Sequence, residues 1–179
     1  MEKTIIIYGS QYGSTKRYAK QLAKITSIED VSYTEVRDLA GYNRIIYLGA
    51  LYAGGVLGLK KTVGKLSHRQ GLVVVTVGLA DPTDDTNIAT IRRNIKTQIP
   101  TEYYDESRTF HLRGAIDYSR LGLKHRMMMS LLHSKVAKLP ENQQNAETRA
   151  LLATYGKQVD FVDLGSLEPI IKTLNLVHY

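Results

Sequence analysis

Short apolar runs alternate with amphipathic stretches along most of this chain. Thr4–Tyr8 and Leu72–Val77 are almost continuously apolar, and Arg44–Leu48 carries Ile45, Ile46 and Tyr47. Runs of this length predict strands buried on both faces of a parallel sheet. Val31–Val36 alternates apolar and polar residues and predicts a strand near an edge. Thr109–Leu112 supplies a fifth strand, closing at Gly114. Between them, Ser14–Thr26 places Tyr18, Leu22 and Ile25 on one stripe with Ala19 and Ala23 beside it, the period of a helix. Further helices are predicted over Leu57–Leu66 (weakened by Gly58 and Gly64), Asn87–Ile99 (stopped by Pro100), about Leu121–Leu139, and Thr148–Asp160. Glu141–Asn145 reads as a polar linker, and Leu164–Leu176, with Pro169 inside it, shows no single period. Strand–helix alternation predicts an α/β layered fold around a parallel sheet. No internal repeat or composition break divides the chain, so residues 1–179 read as one domain with a basic helical segment at about 119–139.

In such sheets ligands bind beyond the carboxyl ends of the strands, where the strand order reverses. Three glycine-bearing segments fall there: Gly9–Thr15, Gly49–Gly55 and Gly78–Pro82. The first joins a strand to a helix N-terminus, where free backbone N–H groups and the helix dipole favour an anion. It lacks the Gly-Lys-Ser/Thr ending of a P-loop, and its glycines, Gly9 and Gly13, do not make a dinucleotide fingerprint. Tyr8 and Gly9 stand where a receiver domain needs acidic residues. What remains is a set of neutral hydroxyl donors, Ser10, Ser14 and Thr15, suited to a phosphate monoester.

Composition narrows the setting. Among 179 residues, 43% hydrophobic and 23% charged, there is no cysteine, which excludes disulfides, thiolate catalysis and Cys-type metal sites and fits a reducing cytoplasm. The first apolar run meets Gly9 too early for a signal peptide, and no run approaches a membrane span. The net charge of +7 points to anionic partners.

The segment Ile6-Ile7-Tyr8-Gly9-Ser10-Gln11-Tyr12-Gly13-Ser14-Thr15, followed by Ala19, resembles the phosphate-binding loop of flavodoxin-like FMN proteins. The resemblance covers roughly Thr4 to Gly114. It implies a three-layer fold with a five-stranded parallel sheet of order 2-1-3-4-5 and helices on both faces. It also implies FMN as the cofactor: Ser10, Gln11, Tyr12, Gly13, Ser14 and Thr15 hold its phosphate, Ala50, Leu51 and Tyr52 flank one side of the ring, and Gly78, Leu79 and Ala80 the other. Two departures stand out. Flavodoxins are acidic, whereas this chain is basic, and positive surroundings make a bound flavin take up electrons more readily. The loop after the fourth strand also lacks their usual aromatic residue.

Leu48-Gly49-Ala50-Leu51-Tyr52-Ala53-Gly54-Gly55 and Leu112-Arg113-Gly114-Ala115-Ile116-Asp117-Tyr118-Ser119-Arg120-Leu121 further resemble the menaquinone-dependent protoporphyrinogen dehydrogenase family. That resemblance implies an oxidoreductase that passes hydrogen from a reduced anionic substrate through FMN to a quinone-type acceptor. Two alternatives stay open: a flavodoxin-type electron carrier, and a regulatory domain without flavin. No nucleic acid is expected as a partner.

In the basic segment, Leu121, Met128, Leu132, Val136 and Leu139 fall on one helical stripe, widened by Met127 and Leu131, with Lys124, Lys135 and Lys138 along its edge. The stripe is expected to pack on the core, with contact to the inner face of a membrane as the sharper reading. Asp81, Asp84 and Asp85 read as turn and helix-cap residues rather than a metal site. His68, His111, His125, His133 and His178 show no ligand spacing.

Overall fold

Ile5, Ile6 and Ile7 are consecutive but serve opposite faces of one sheet. Ile5 and Ile7 pack with Ile45 and Tyr47 on one side, and Ile6 with Ile46 and Leu48 on the other. This is the period-two alternation of a strand buried on both faces. The computed structural model describes residues 3–52, 54–67 and 69–176. In chain order the elements are β1 (Thr4–Gly9), α1 (Ser14–Thr26), β2 (Asp30–Ser32), β3 (Arg44–Tyr52), β4 (Gly55–Val56), α2 (Leu59–Val63), β5 (Gly71–Gly78), α3 (Asp85–Lys96), β6 (Thr109–Arg113), β7 (Ala115–Asp117), α4 (Leu123–Val136), α5 (Ala146–Thr154), β8 (Gln158–Asp160) and α6 (Glu168–Leu174).

The main sheet runs β2-β1-β3-β5-β6, all parallel. Counting only the parallel strands, this is the expected 2-1-3-4-5 order. Order reverses at β1, which lies between β2 and β3. On one face α1 and α6 bury Tyr18, Leu22, Leu167, Ile170 and Leu174. On the other, α2 and α3 bury Leu59, Val63, Ile91 and Ile95. The Tyr18 hydroxyl donates to the Arg113 carbonyl at 2.8 Å and accepts the Asp163 N–H at 3.0 Å, fastening α1 to the end of β6 and to the turn before α6.

Several boundaries differ from the sequence expectation. The edge strand stops at Ser32, whose Oγ takes the Thr34 N–H in a local turn instead of leaving that amide to a ladder. The segment after the third strand forms a hairpin. β3 runs on to Tyr52 and folds back as β4, with Leu51 opposite Val56. Gly54 forms the turn at φ +79°, and a Cβ on Gly55 would strike Gln98, so the pair is a packed turn. The Leu57–Leu66 helix shortens to α2. The Thr148–Asp160 helix ends at Thr154, because Gly156 turns the chain at φ +73° and β8 then pairs antiparallel with β7. The tail forms α6, with Pro169 in its first turn, where a missing N–H costs nothing. Ile25 is exposed at the end of α1.

α4 departs furthest. Its inward face is Met129 and Val136, which join Leu121, Ile116, Tyr118 and Leu151 in a third, small core between the β7–β8 ribbon and α5. Met128 and Leu132 of the expected stripe are exposed, as are Leu123, Met127 and Leu131. Apolar residues therefore spread over most of the circumference of this helix, leaving one side to Arg126, Ser130 and His133. No helix among the described residues is long and apolar enough to cross a membrane.

Candidate ligand crevice

The turn after β1 is built on Gly13, whose φ of +95° is accessible to glycine at little cost and strained for any residue with a side chain. Gly13 is also the N-cap of α1 and offers no capping side chain. Ser10 Oγ substitutes by accepting the N–H groups of Gly13 and Lys16, at 3.2 and 3.3 Å. As acceptor in both bonds, the Ser10 hydroxyl retains its own proton to donate. The first-turn N–H groups of Ser14 and Thr15 have no carbonyl four residues back within the helix, and the positive end of the helix dipole lies there. Ser14 Oγ is committed elsewhere: it accepts the Ala115 N–H at 2.8 Å and donates to the Ala115 carbonyl at 3.3 Å, tying the turn to β7.

Beside this turn lies a cavity of about 460 Å³, in the range of small-molecule sites. It opens at the carboxyl ends of β1, β3 and β5, where the strand order reverses. The residues singled out from the sequence, Gln11, Tyr12, Ser14, Thr15, Ala50, Leu51, Tyr52, Gly78, Leu79 and Ala80, all line it; Ser10 and Gly13 belong to the turn but do not line the cavity. The second and third segments meet closely, since a Cβ on Gly78 would stand 2.7 Å from Leu51 Cδ1. Arg113, at the end of β6, holds the third segment by donating from Nη2 to the Leu79 carbonyl at 3.1 Å while its guanidinium stacks 3.8 Å from the Phe161 ring. Asp84 caps α3 by accepting the Asn87 N–H, and Asp81 takes both the N–H and the hydroxyl of Thr83. Those bonds to Thr83 hold the Asp81 carboxyl below its usual range, with Arg113 adding to the effect.

The far wall comes from elements that no glycine signal marked. Met128, Met129, Leu132 and Val136 of α4, Thr148 and Leu151 of α5, and Asn145 and Glu147 complete the lining. Asn145 accepts the Thr148 N–H as the α5 cap, and this Asn-x-x-Thr spacing joins the last residue of the stretch read as a linker to the first of the predicted helix. Glu147, two residues after Asn145, also lines the cavity. Water reaches the side chain there, yet enough protein surrounds it that desolvation raises its pKa. Two ties hold α4 over the crevice: Gln11 Nε2 donates to His125 Nε2 at 3.0 Å, and the Tyr52 hydroxyl reaches Met128 Sδ at 3.5 Å. The Tyr12 ring packs edge-on to His125, and its buried hydroxyl has no partner among the described residues. Burial, with the nearby Tyr52, raises the Tyr12 pKa. His133 stacks on Tyr155 at 3.9 Å, away from the cavity lining. His111 is bonded through Nδ1 to Thr76 Oγ1 at 2.7 Å. Ala53, His68 and His178 lie outside the described residues.

An open parallel sheet with a crevice where its strand order reverses is the doubly wound α/β architecture. Residues 5–143 match the family described as Flavodoxin domain, and the chain belongs to that family. No curated protein sequence matches it. Among solved structures it is similar to a putative flavoprotein from Bacteroides uniformis (12% identity over 72% of this chain and 98% of that one, TM-score 0.47). It is also similar to a flavodoxin mutant from Fusobacterium nucleatum bound to flavin mononucleotide (17%, 44% and 53%, TM-score 0.36), and to the flavodiiron core of Flv1 from Synechocystis (15%, 62% and 30%, TM-score 0.41). The chain thus spans about half the length of the second and under a third of the third.

Proposed function

We propose that this protein binds one FMN in the crevice and works as an oxidoreductase resembling the protoporphyrinogen dehydrogenases. Family membership supports the cofactor, and the site fits it. The turn offers the helix N-terminal amides together with the Ser10 and Thr15 hydroxyls to a phosphate. Ala50, Leu51 and Tyr52 offer one wall to a planar ring, and Gly78, Leu79 and Ala80 another. When bound, FMN supplies the hydrogen-accepting chemistry. The chain orients it, excludes water with α4, and presents the Glu147 carboxylate where a proton can be held.

The observation that carries an enzymatic reading is the second wall. A flavin held by the three loops leaves the apolar surface of Met128, Leu132 and Leu151, with Glu147 at its edge, to face something else. Under this proposal a reduced, carboxylate-bearing substrate gives up two hydrogens per turn, and these end on a quinone-type acceptor, which leaves as the quinol. The chain's positive charge favours both the anionic substrate and a flavin that takes up electrons readily.

Flavin reconstitution followed by anaerobic mixing with protoporphyrinogen tests this directly. The expected result is stoichiometric FMN uptake, bleaching by the substrate and recovery of colour with a menaquinone analogue. Uptake of FMN without bleaching would leave an electron carrier, and no uptake would leave a domain without flavin. Ser10→Ala with Thr15→Ala is expected to weaken FMN binding at least tenfold by fluorescence titration.

A further inference from the structure

The outer face of α4 has no partner within the chain. Among the described residues only a few large apolar side chains are exposed, and most of them are on this helix. Leu123, Met127 and Leu131, spaced at i, i+4 and i+8, form a crest along it and are 84%, 63% and 68% exposed. That spacing puts them on one side of the helix, turned away from buried Met129 and Val136. The flanks are basic. Arg120, Lys124, Arg126, Lys135 and Lys138 are exposed, and the sequence from Tyr118 to Pro140 contains no carboxylate. None of the five cations makes an ion pair among the described residues.

We propose that this face docks on an anionic lipid surface, with the crest set into the acyl boundary and the cations among the headgroups. An aliphatic crest between lysines and arginines is the pattern of a helix lying in a membrane interface, where long cationic side chains cover apolar surface while their charges stay in the polar layer. Two rival occupants fit less well. A second copy of the chain would bring two sets of uncompensated cations together. Protein interfaces favour aromatic residues, methionine and arginine and disfavour lysine; this crest has no aromatic residue, and the three lysines at its flanks outnumber the two arginines. Met128 and Leu132 link the exposed side of the same helix to the cavity lining. A docked α4 therefore sets the crevice beside the lipid, within reach of a lipid-soluble molecule.

Co-sedimentation of the full-length protein with vesicles tests this without reference to the cofactor. The vesicles are pure phosphatidylcholine, or phosphatidylcholine with one third phosphatidylglycerol. Binding is expected to be at least tenfold tighter to the anionic vesicles and to weaken as salt is raised. The triple change Leu123→Ser, Met127→Ser, Leu131→Ser is expected to lower that binding at least tenfold. Lys124→Gln with Lys135→Gln and Lys138→Gln is expected to do the same, with circular dichroism and melting temperature retained in both. Equal partition to the two lipids, undiminished binding by a folded crest variant, or sedimentation equilibrium showing a dimer that the crest variant dissolves would each overturn the proposal. FMN uptake by the same samples reports separately on the proposed function.

Discussion

Ser14 shows how much one hydroxyl can organise. It is 7% exposed and satisfies both backbone groups of Ala115, so it joins the turn after β1 to the start of β7 across 101 residues. Removing it leaves a half-buried N–H and C=O pair without their partner. Ser14→Ala is expected to cost about 1–3 kcal/mol of stability by urea unfolding, with the midpoint shifted and the slope unchanged. His111 makes a second residue-scale prediction. Burial, with Arg92 nearby adding to the effect, lowers its pKa from 6.5 to about 4, so the folded protein keeps the ring neutral. The unfolded chain therefore binds more protons below pH 6.5. The contribution of His111 is complete above that value and is lost as pH falls toward 4. Glu147, whose pKa burial raises, acts in the opposite sense at the acid end of this range. Comparing wild type with His111→Gln in chemical denaturation at a series of pH values isolates the histidine, and the variant is expected to lose less stability between pH 6.5 and 4.

Two populations of elements emerge. β1, β3 and β5 are nearly waterless, with Ile6, Ile46 and Val73 fully buried. α4 and α5 rest on a small core of Met129, Val136, Leu151 and a few neighbours, and α4 exposes apolar surface outward. Fewer buried contacts mean a lower free energy of local opening. Hydrogen exchange by mass spectrometry is expected to show amides of residues 123–154 exchanging well before those of β3 and β5, through an opening smaller than global unfolding. The central strands were legible because continuous Ile and Val runs have few alternatives in water. The path of α4 was not. Its apolar residues spread over most of the helix circumference, so a period-3.6 count put Met128 and Leu132 on one stripe with Leu121, Val136 and Leu139; Leu121 and Val136 are buried, but Met129 takes the inward place and Met128 and Leu132 are exposed at the cavity. The β7–β8 ribbon was missed because each strand is three residues long, too short for alternation to register.

At the scale of the whole molecule, the crevice assembles from positions spread between Gln11 and Leu151. The loops on the sheet side were legible because glycines and hydroxyls at strand ends are required by turn geometry. The wall from α4 and α5 was not, because its residues are ordinary helix formers whose role depends on where the ribbon places them. A ligand bridging the two sides binds the folded chain and not the unfolded one. If the proposed cofactor binds, FMN held at a hundred times its Kd is expected to add about 2.7 kcal/mol to unfolding. Calorimetric melting of the apo and FMN-loaded protein checks this. An unchanged transition would mean that FMN does not bind the folded chain.

The hydroxyl of Tyr18 sets a timetable for making this protein. Its two partners lie 95 and 145 residues further along, and the core face of its helix is covered by Leu167, Ile170 and Leu174, which a ribosome adds near the end of this sequence. At translation rates of about 5–20 residues per second, the interval from Tyr18 to Asp163 is roughly seven to thirty seconds. Throughout it the first strand and helix have an uncovered apolar face. Synthesis of the nascent chain thus includes a long exposed phase, and the burden of keeping that face from aggregating falls on whatever shields new polypeptides in the cell.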